Sequence, residues 1–142
     1  MFGKKKQPPI KSLIAQGTLI EGNLKFTDGL RIDGAVTGNI RAFDEKPSIL
    51  VISESATVTG SVYADHVIIN GRVIGPVHAA ELLELQPKAK IDGDVSYKAL
   101  EMHQGAAIFG QLRPVAHVAS IANVEPVEVE EKTVLKLAAS KG

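Results

Sequence analysis

Six glycines, Gly22, Gly38, Gly60, Gly75, Gly93 and Gly110, stand 15 to 22 residues apart, and the residues around each are alike in type. Two positions before them are Ile20, Val36, Val58, Val73, Ile91 and Ile108; two after are Leu24, Ile40, Val62, Val77, Val95 and Leu112. All twelve are aliphatic. Four before each glycine the residue is small: Thr18, Gly34, Ala56, Gly71, Ala89 and Ala106. The odd neighbours are mostly polar, being Glu21, Thr37, Thr59, Ile74, Asp92 and Phe109 on one side and Asn23, Asn39, Ser61, Pro76, Asp94 and Gln111 on the other. Alternation with a period of two marks a strand buried on one face. A second strand recurs upstream as Leu30-Ile32, Leu50-Ile52, Val67-Ile69, Leu83-Leu85 and Leu100-Met102.

A unit of this length with two or three short strands cannot bury its inner face alone, whereas stacked units can. Each strand then pairs in parallel with its equivalent in the next coil at about 4.8 Å, and six coils make a rod on the order of 25 to 30 Å long. The composition suits such a body: apolar residues are 44% of the chain and aromatics 4%, so the core has to be aliphatic. The fold expected is all-β, a single-stranded parallel β-helix of about six coils without a helical layer. An antiparallel sandwich would not require aligned columns over six units. The hexapeptide left-handed β-helix of acyltransferases is the nearer rival. Its six-residue step holds from Ile52 to Val58, Leu85 to Ile91 and Met102 to Ile108, then fails at Ala64, Tyr97 and Pro114.

The repeat divides the chain into residues 1–12, 13–114 and 115–142. The first part carries Lys4, Lys5, Lys6 and Lys11 with no acid, followed after the triplet by Pro8 and Pro9, and reads as a mobile basic arm. The last part holds Pro126 and the acids Glu125, Glu128, Glu130 and Glu131 and reads as a disordered tail, with room for a helical turn or two over residues 133–139. No run approaches the length of a membrane-spanning helix, and no apolar stretch follows the basic start as in a secretory signal. A cytoplasmic protein, attached at most to a membrane surface, is expected.

Little in the sequence suggests chemistry. With no Cys, thiolate sites and disulfides are excluded; with 16 Lys and Arg against 16 Asp and Glu, no net charge points to nucleic acid. His66 and His78 fall at or near coil corners, His103 beside Met102 and His117 in the tail, with no spacing that makes a metal pair. Asp92 and Asp94 would point outward from one strand into solvent, where nothing raises the pKa of either. Gly34 to Gly38 lacks the lysine of a phosphate loop. No enzyme, metal or cofactor is therefore expected; the catalytic alternative is an acyltransferase-like trimer using His78 or His103. The rod does have adhesive ends. The first rung, Thr18 to Phe26, and the last, Ala106 to Leu112, have no evident cap, and stacking would cover their unpaired strand edges.

The columns also resemble the bactofilin family of bacterial cytoskeletal proteins. The resemblance rests on Ile14-Ala15-Gln16-Gly17-Thr18 with Ile20-Glu21-Gly22, Arg31-Ile32-Asp33-Gly34 with Gly38, Val67-Ile68-Ile69-Asn70-Gly71, Ile91-Asp92-Gly93-Asp94-Val95 and the closing Gly110-Gln111-Leu112-Arg113-Pro114. It implies a right-handed helix that polymerises end to end, without nucleotide, into non-polar filaments. The self-assembly residues expected are Ile20, Leu24 and Phe26 at one end and Ile108, Phe109 and Leu112 at the other. Met1-Phe2-Gly3-Lys4-Lys5-Lys6 resembles the family's membrane-targeting peptide, so Met1, Phe2, Lys4, Lys5 and Lys6 are candidates to hold an anionic bilayer, at the inner face of the cytoplasmic membrane. The body, with eight Lys and Arg against twelve Asp and Glu over residues 13–112, is a poor surface for anionic lipid. Itself, the membrane, and cell-wall enzymes or other morphogenesis proteins are the partners the resemblance implies.

Overall fold

A computed structural model describes residues 8–115, and these form a β-solenoid of six coils with no helix. Each coil has three short strand segments. The first contains β1 (Ile10–Ile14), β2 (Leu19–Glu21) and β3 (Leu24–Phe26), and the second β4 (Gly29–Ile32), β5 (Ala35–Thr37) and β6 (Ile40–Ala42). The third starts with β7 (Ile49–Ile52) and β8 (Thr57–Thr59) and runs into β9 (Val62–Ile69), whose second half opens the fourth coil. With β10 (Arg72–Ile74), β11 (Val77–Leu85), β12 (Lys90–Asp92) and β13 (Val95–Met102) the pattern repeats, and β14 (Ala107–Phe109) and β15 (Leu112–Pro114) complete the sixth coil.

Every pairing between strands is parallel, coil to coil, so the segments stack into three walls. One wall is β2, β5, β8, β10, β12 and β14. A second runs from β3 and β6 through the first halves of β9, β11 and β13 to β15; the third runs from β1, β4 and β7 through their second halves. The register shifts between Ala79 and Leu82, where β11 turns from one wall to the next.

The expected columns become ladders. Val36, Val58, Val73 and Ile91 lie in register and are buried, as are Ile40, Val62, Val77 and Val95. Volume is balanced along a third ladder, in which Phe26 stacks over the small Ala42, Ala64 and Ala79, and Tyr97 and then Pro114 follow. Burial pushes the Tyr97 phenol up from its ordinary pKa.

The anchor glycines turn the corner between the first two walls. At Gly60 φ is 147°, and a Cβ there would run into the carbonyl oxygen of Gly38 in the coil beneath. Backbone approaches backbone too closely for any side chain. The next residue satisfies the corner amides: Asn39 N–H donates to Asn23 Oδ1 and Ser61 N–H to Asn39 Oδ1, both at 3.0 Å. The long 22-residue spacing between Gly38 and Gly60 is taken up by a loop after β6. It is pinned where buried Ser48 donates its N–H to Asp65 Oδ2 and its Oγ accepts from Asp65 N–H, each at 3.0 Å.

The start of the solenoid corrects the expected boundary. Residues 10–12, expected in a mobile arm, belong to β1, which pairs with β4 and completes the first coil ahead of Thr18. Lys11 is part of this attachment, reaching Asp28 at 3.0 Å, with Lys46 at 3.9 Å from the same carboxylate. The hydrogen bond from Lys11, aided by both positive charges, holds the Asp28 carboxyl below the usual aspartate range.

Candidate assembly surfaces at the two ends of the solenoid

The inward columns change character only where the coils stop. Ile20 and Ile108 close the ladder of Val36, Val58, Val73 and Ile91, yet both remain half-buried while the four between them are 1% exposed or less. The neighbouring ladder ends the same way: Leu24 is half-buried and Leu112 is 45% exposed, against 1% or less for the four residues between. These side chains stand in the inward columns, and among the described residues no further coil covers them. Phe26, also expected to take part at the first end, is instead packed into the core, because it fills the space over the alanine ladder.

Phe109 faces outward at the rim of the last coil and is the most exposed large apolar side chain among the described residues, at 65%. The last end includes two residues the sequence reading did not single out. Leu100 and Met102 terminate the ladders of the third wall, where Leu83 and Leu85 beneath them are wholly buried. At the first end Ile14 is half-buried over Ile32, and Leu13 and Leu19 form an exposed apolar rim. Column position alone could have found Leu100 and Met102.

Among the described residues, β2 and β14 each pair on one side and lie at opposite ends of their sheet; β1, β3 and β15 likewise have one paired edge. Both ends therefore combine an open hydrogen-bonding edge with uncovered aliphatic side chains. Met1, Phe2, Lys4, Lys5 and Lys6 lie outside the described residues, as do the tail after 115 and its His117.

Of the other candidate groups, the two aspartates are placed differently from expectation. Asp92 and Asp94 do not share a strand, since β12 ends at Asp92 and the chain turns at Gly93. Asp94 accepts the Gln111 N–H at 2.9 Å, which lowers its pKa first, and Arg113 lies 3.4 Å away. His78 lies within β11, just before the shift at Ala79 where the strand turns to the next wall, its ring stacked on Tyr63 with centroids 4.8 Å apart. Arg41 covers the Tyr63 ring at 4.1 Å. His66 opens the second half of β9, where burial lowers its pKa. His103 is brought beside Glu84, with Nε2 3.6 Å from Oε2. No helix among the described residues is long and apolar enough to cross a membrane.

Comparison with known proteins agrees with this geometry. The family model Bactofilin, described as polymer-forming cytoskeletal, matches residues 12–113. Two Myxococcus xanthus (strain DK1622) proteins are similar over 101 residues, or 71% of this chain: bactofilin BacP at 25% identity and bactofilin BacO at 26%. The matched region spans 40% of BacP and 77% of BacO. No solved structure matches the chain.

Proposed function

The chain belongs to the bactofilin family, and from the two open ends we propose that it is a scaffold whose copies stack end to end into filaments. The family is a structural one, described as polymer-forming and cytoskeletal, so the acyltransferase alternative is set aside. The observation that carries the proposal is the loss of cover along the inward ladders, from 1% exposure or less in the middle coils to 45% at Leu112. A further coil from a second copy would complete the ladders and pair the edges, so burial of aliphatic surface drives assembly and no nucleotide is needed. We assign Ile20 and Leu24 to one contact and Ile108, Phe109 and Leu112 to the other, with Phe26 as the support beneath the first.

Like ends meet like in this reading, through two-fold axes, which makes the filament non-polar. Its attachment to the inner face of the cytoplasmic membrane rests on Met1, Phe2, Lys4, Lys5 and Lys6: an apolar pair enters the bilayer interface while each lysine contributes about 1 kcal/mol near anionic lipid. One arm holds weakly. Many arms on one filament hold tightly by effective concentration. A filament so placed is suited to organising cell shape or cell-wall enzymes.

Negative-stain microscopy of the purified full chain tests the assembly: filaments without added nucleotide are expected, and compact trimers would refute it. Deleting residues 1–6 should leave filaments intact but release them from vesicles containing anionic lipid. Equal co-sedimentation of the full and shortened chains would remove the membrane assignment.

A further inference from the structure

Glu84 in β11 and Glu101 in β13 are in-register partners, so both carboxylates leave the same wall in adjacent coils. Like charges stacked across neighbouring strands repel. Among the described residues no lysine or arginine forms an ion pair with either: Glu84 lies beside His103, and the His66 imidazole of the coil beneath interacts electrostatically with both carboxylates. Other acids on the body, such as Glu54 and Glu81, do meet a lysine. What stands next to this pair is an imidazole, and the backbone holds it there, because His103 N–H donates to Leu85 O at 2.9 Å.

We propose that Glu84, Glu101 and His103 bind one borderline divalent cation of the zinc class, clamping the fifth coil to the sixth. One donor atom from each residue lies within 4.8 Å of the others, and the His103–Glu84 pair is already at 3.6 Å. A tetrahedral ion with bonds near 2.0 to 2.1 Å needs donors about 3.4 Å apart. Two of these side chains are exposed and one is half-buried, so side-chain rotation is the movement by which an ion would draw the donors together. The donor set decides the metal. Magnesium and calcium take oxygen ligands throughout, whereas an imidazole with two carboxylates suits zinc, cobalt or nickel. Gln86 orients the site from outside, its amide N–H directed at Glu84 Oε2 at 3.4 Å. Three protein ligands leave the fourth position to solvent.

The cluster is invisible to linear spacing, since Glu84 lies 17 residues from Glu101 and 19 from His103. It joins the last coil, whose outer edge is open, to the coil beneath, so an occupied site would fasten the element that has the fewest neighbours. The inference does not depend on how copies assemble.

The test is Zn²⁺ binding to the full chain by competition with a chromophoric chelator, with Mg²⁺ as the hard-ion control. One strong site per chain is expected for Zn²⁺ and none for Mg²⁺. His103→Ala, Glu84→Gln and Glu101→Gln should each weaken Zn²⁺ at least tenfold, while His78→Ala leaves it unchanged. Hydrogen exchange supplies a second readout: Zn²⁺ should slow exchange over residues 99–109 in the wild type and not in Glu101→Gln. Without metal, Glu101→Gln should itself slow that exchange, because it removes the repulsion. If His103→Ala does not fold, the two Gln variants carry the test. Undiminished binding in the variants, or no Zn²⁺ site in the wild type, overturns the proposal.

Discussion

Replacing Phe109 by arginine separates the proposed like-to-like joints from a head-to-tail stack. The ring is 65% exposed in the single chain. For a ring offering ~200 Å², that leaves about 130 Å² to bury, worth roughly 3 kcal/mol at 25 cal/mol per Å². A two-fold joint contains the residue twice, so Phe109→Arg loses this burial on both sides and brings two positive charges together. At 1.4 kcal/mol per factor of ten, the joint should weaken at least about a hundredfold. The core is unaffected because the ring points outward. The first ends still associate, so the variant should stop at dimers rather than monomers. Leu19→Arg at the opposite rim, where Leu19 is 56% exposed, should stop at dimers too, and the double variant at monomers. Sedimentation velocity distinguishes these species and electron microscopy confirms the loss of filaments. Filaments at an unchanged protein concentration would refute the assignment of Phe109. Monomers from either single variant would refute two-fold joints and require head-to-tail stacking.

Other substitutions test the solenoid itself. Gly60→Ala forces a Cβ into the Gly38 carbonyl and should lower stability by roughly 2 kcal/mol or more in thermal unfolding. An unchanged Tm would show that the corner can open. Phe26→Ala empties a buried site and should cost about 3 to 5 kcal/mol in denaturant unfolding. The Asp28 pKa is lowered in the folded chain, so its contribution is present above the ordinary aspartate range and is lost as pH falls through the lower folded value. Protection factors of the β1 amides, which are corrected for the intrinsic pH dependence of exchange, should therefore fall on acidification, and Asp28→Asn should remove that pH dependence; equal acid response in the variant would place the effect elsewhere.

The interior was legible because stacking imposes one environment on every copy of a column. Val58 and Val73 meet the same neighbours above and below, so the same residue type recurs and the alternation exposes it. Where local chemistry departs from the column, legibility fails. β1 was hidden because Ser12 stands where later coils place Leu30, Leu50 and Val67, and because lysines and prolines surround it. Asp92 and Asp94 looked like one outward strand because period two continues across Gly93, although the chain turns a corner there. The stack of His78 on Tyr63 and the meeting of Glu84, Glu101 and His103 depend on register between coils of unequal length, which the shift at Ala79 alters.

The ends are a different case. By residue type the column predicts burial for Leu112 as firmly as for Val95, its in-register partner, although Arg113 and Pro114 close the pattern just after it. The single chain leaves it 45% exposed. That conflict between column and exposure recurs at Ile20, Leu24, Leu100, Met102 and Ile108, at both ends and on all three walls. A soluble monomer would relieve it with polar residues in the terminal columns or with a capping element. These positions keep the aliphatic pattern of the interior. The mismatch is thus informative: the terminal residues retain the composition of a core, and a second copy stacked on each open coil would give them the neighbours that composition requires.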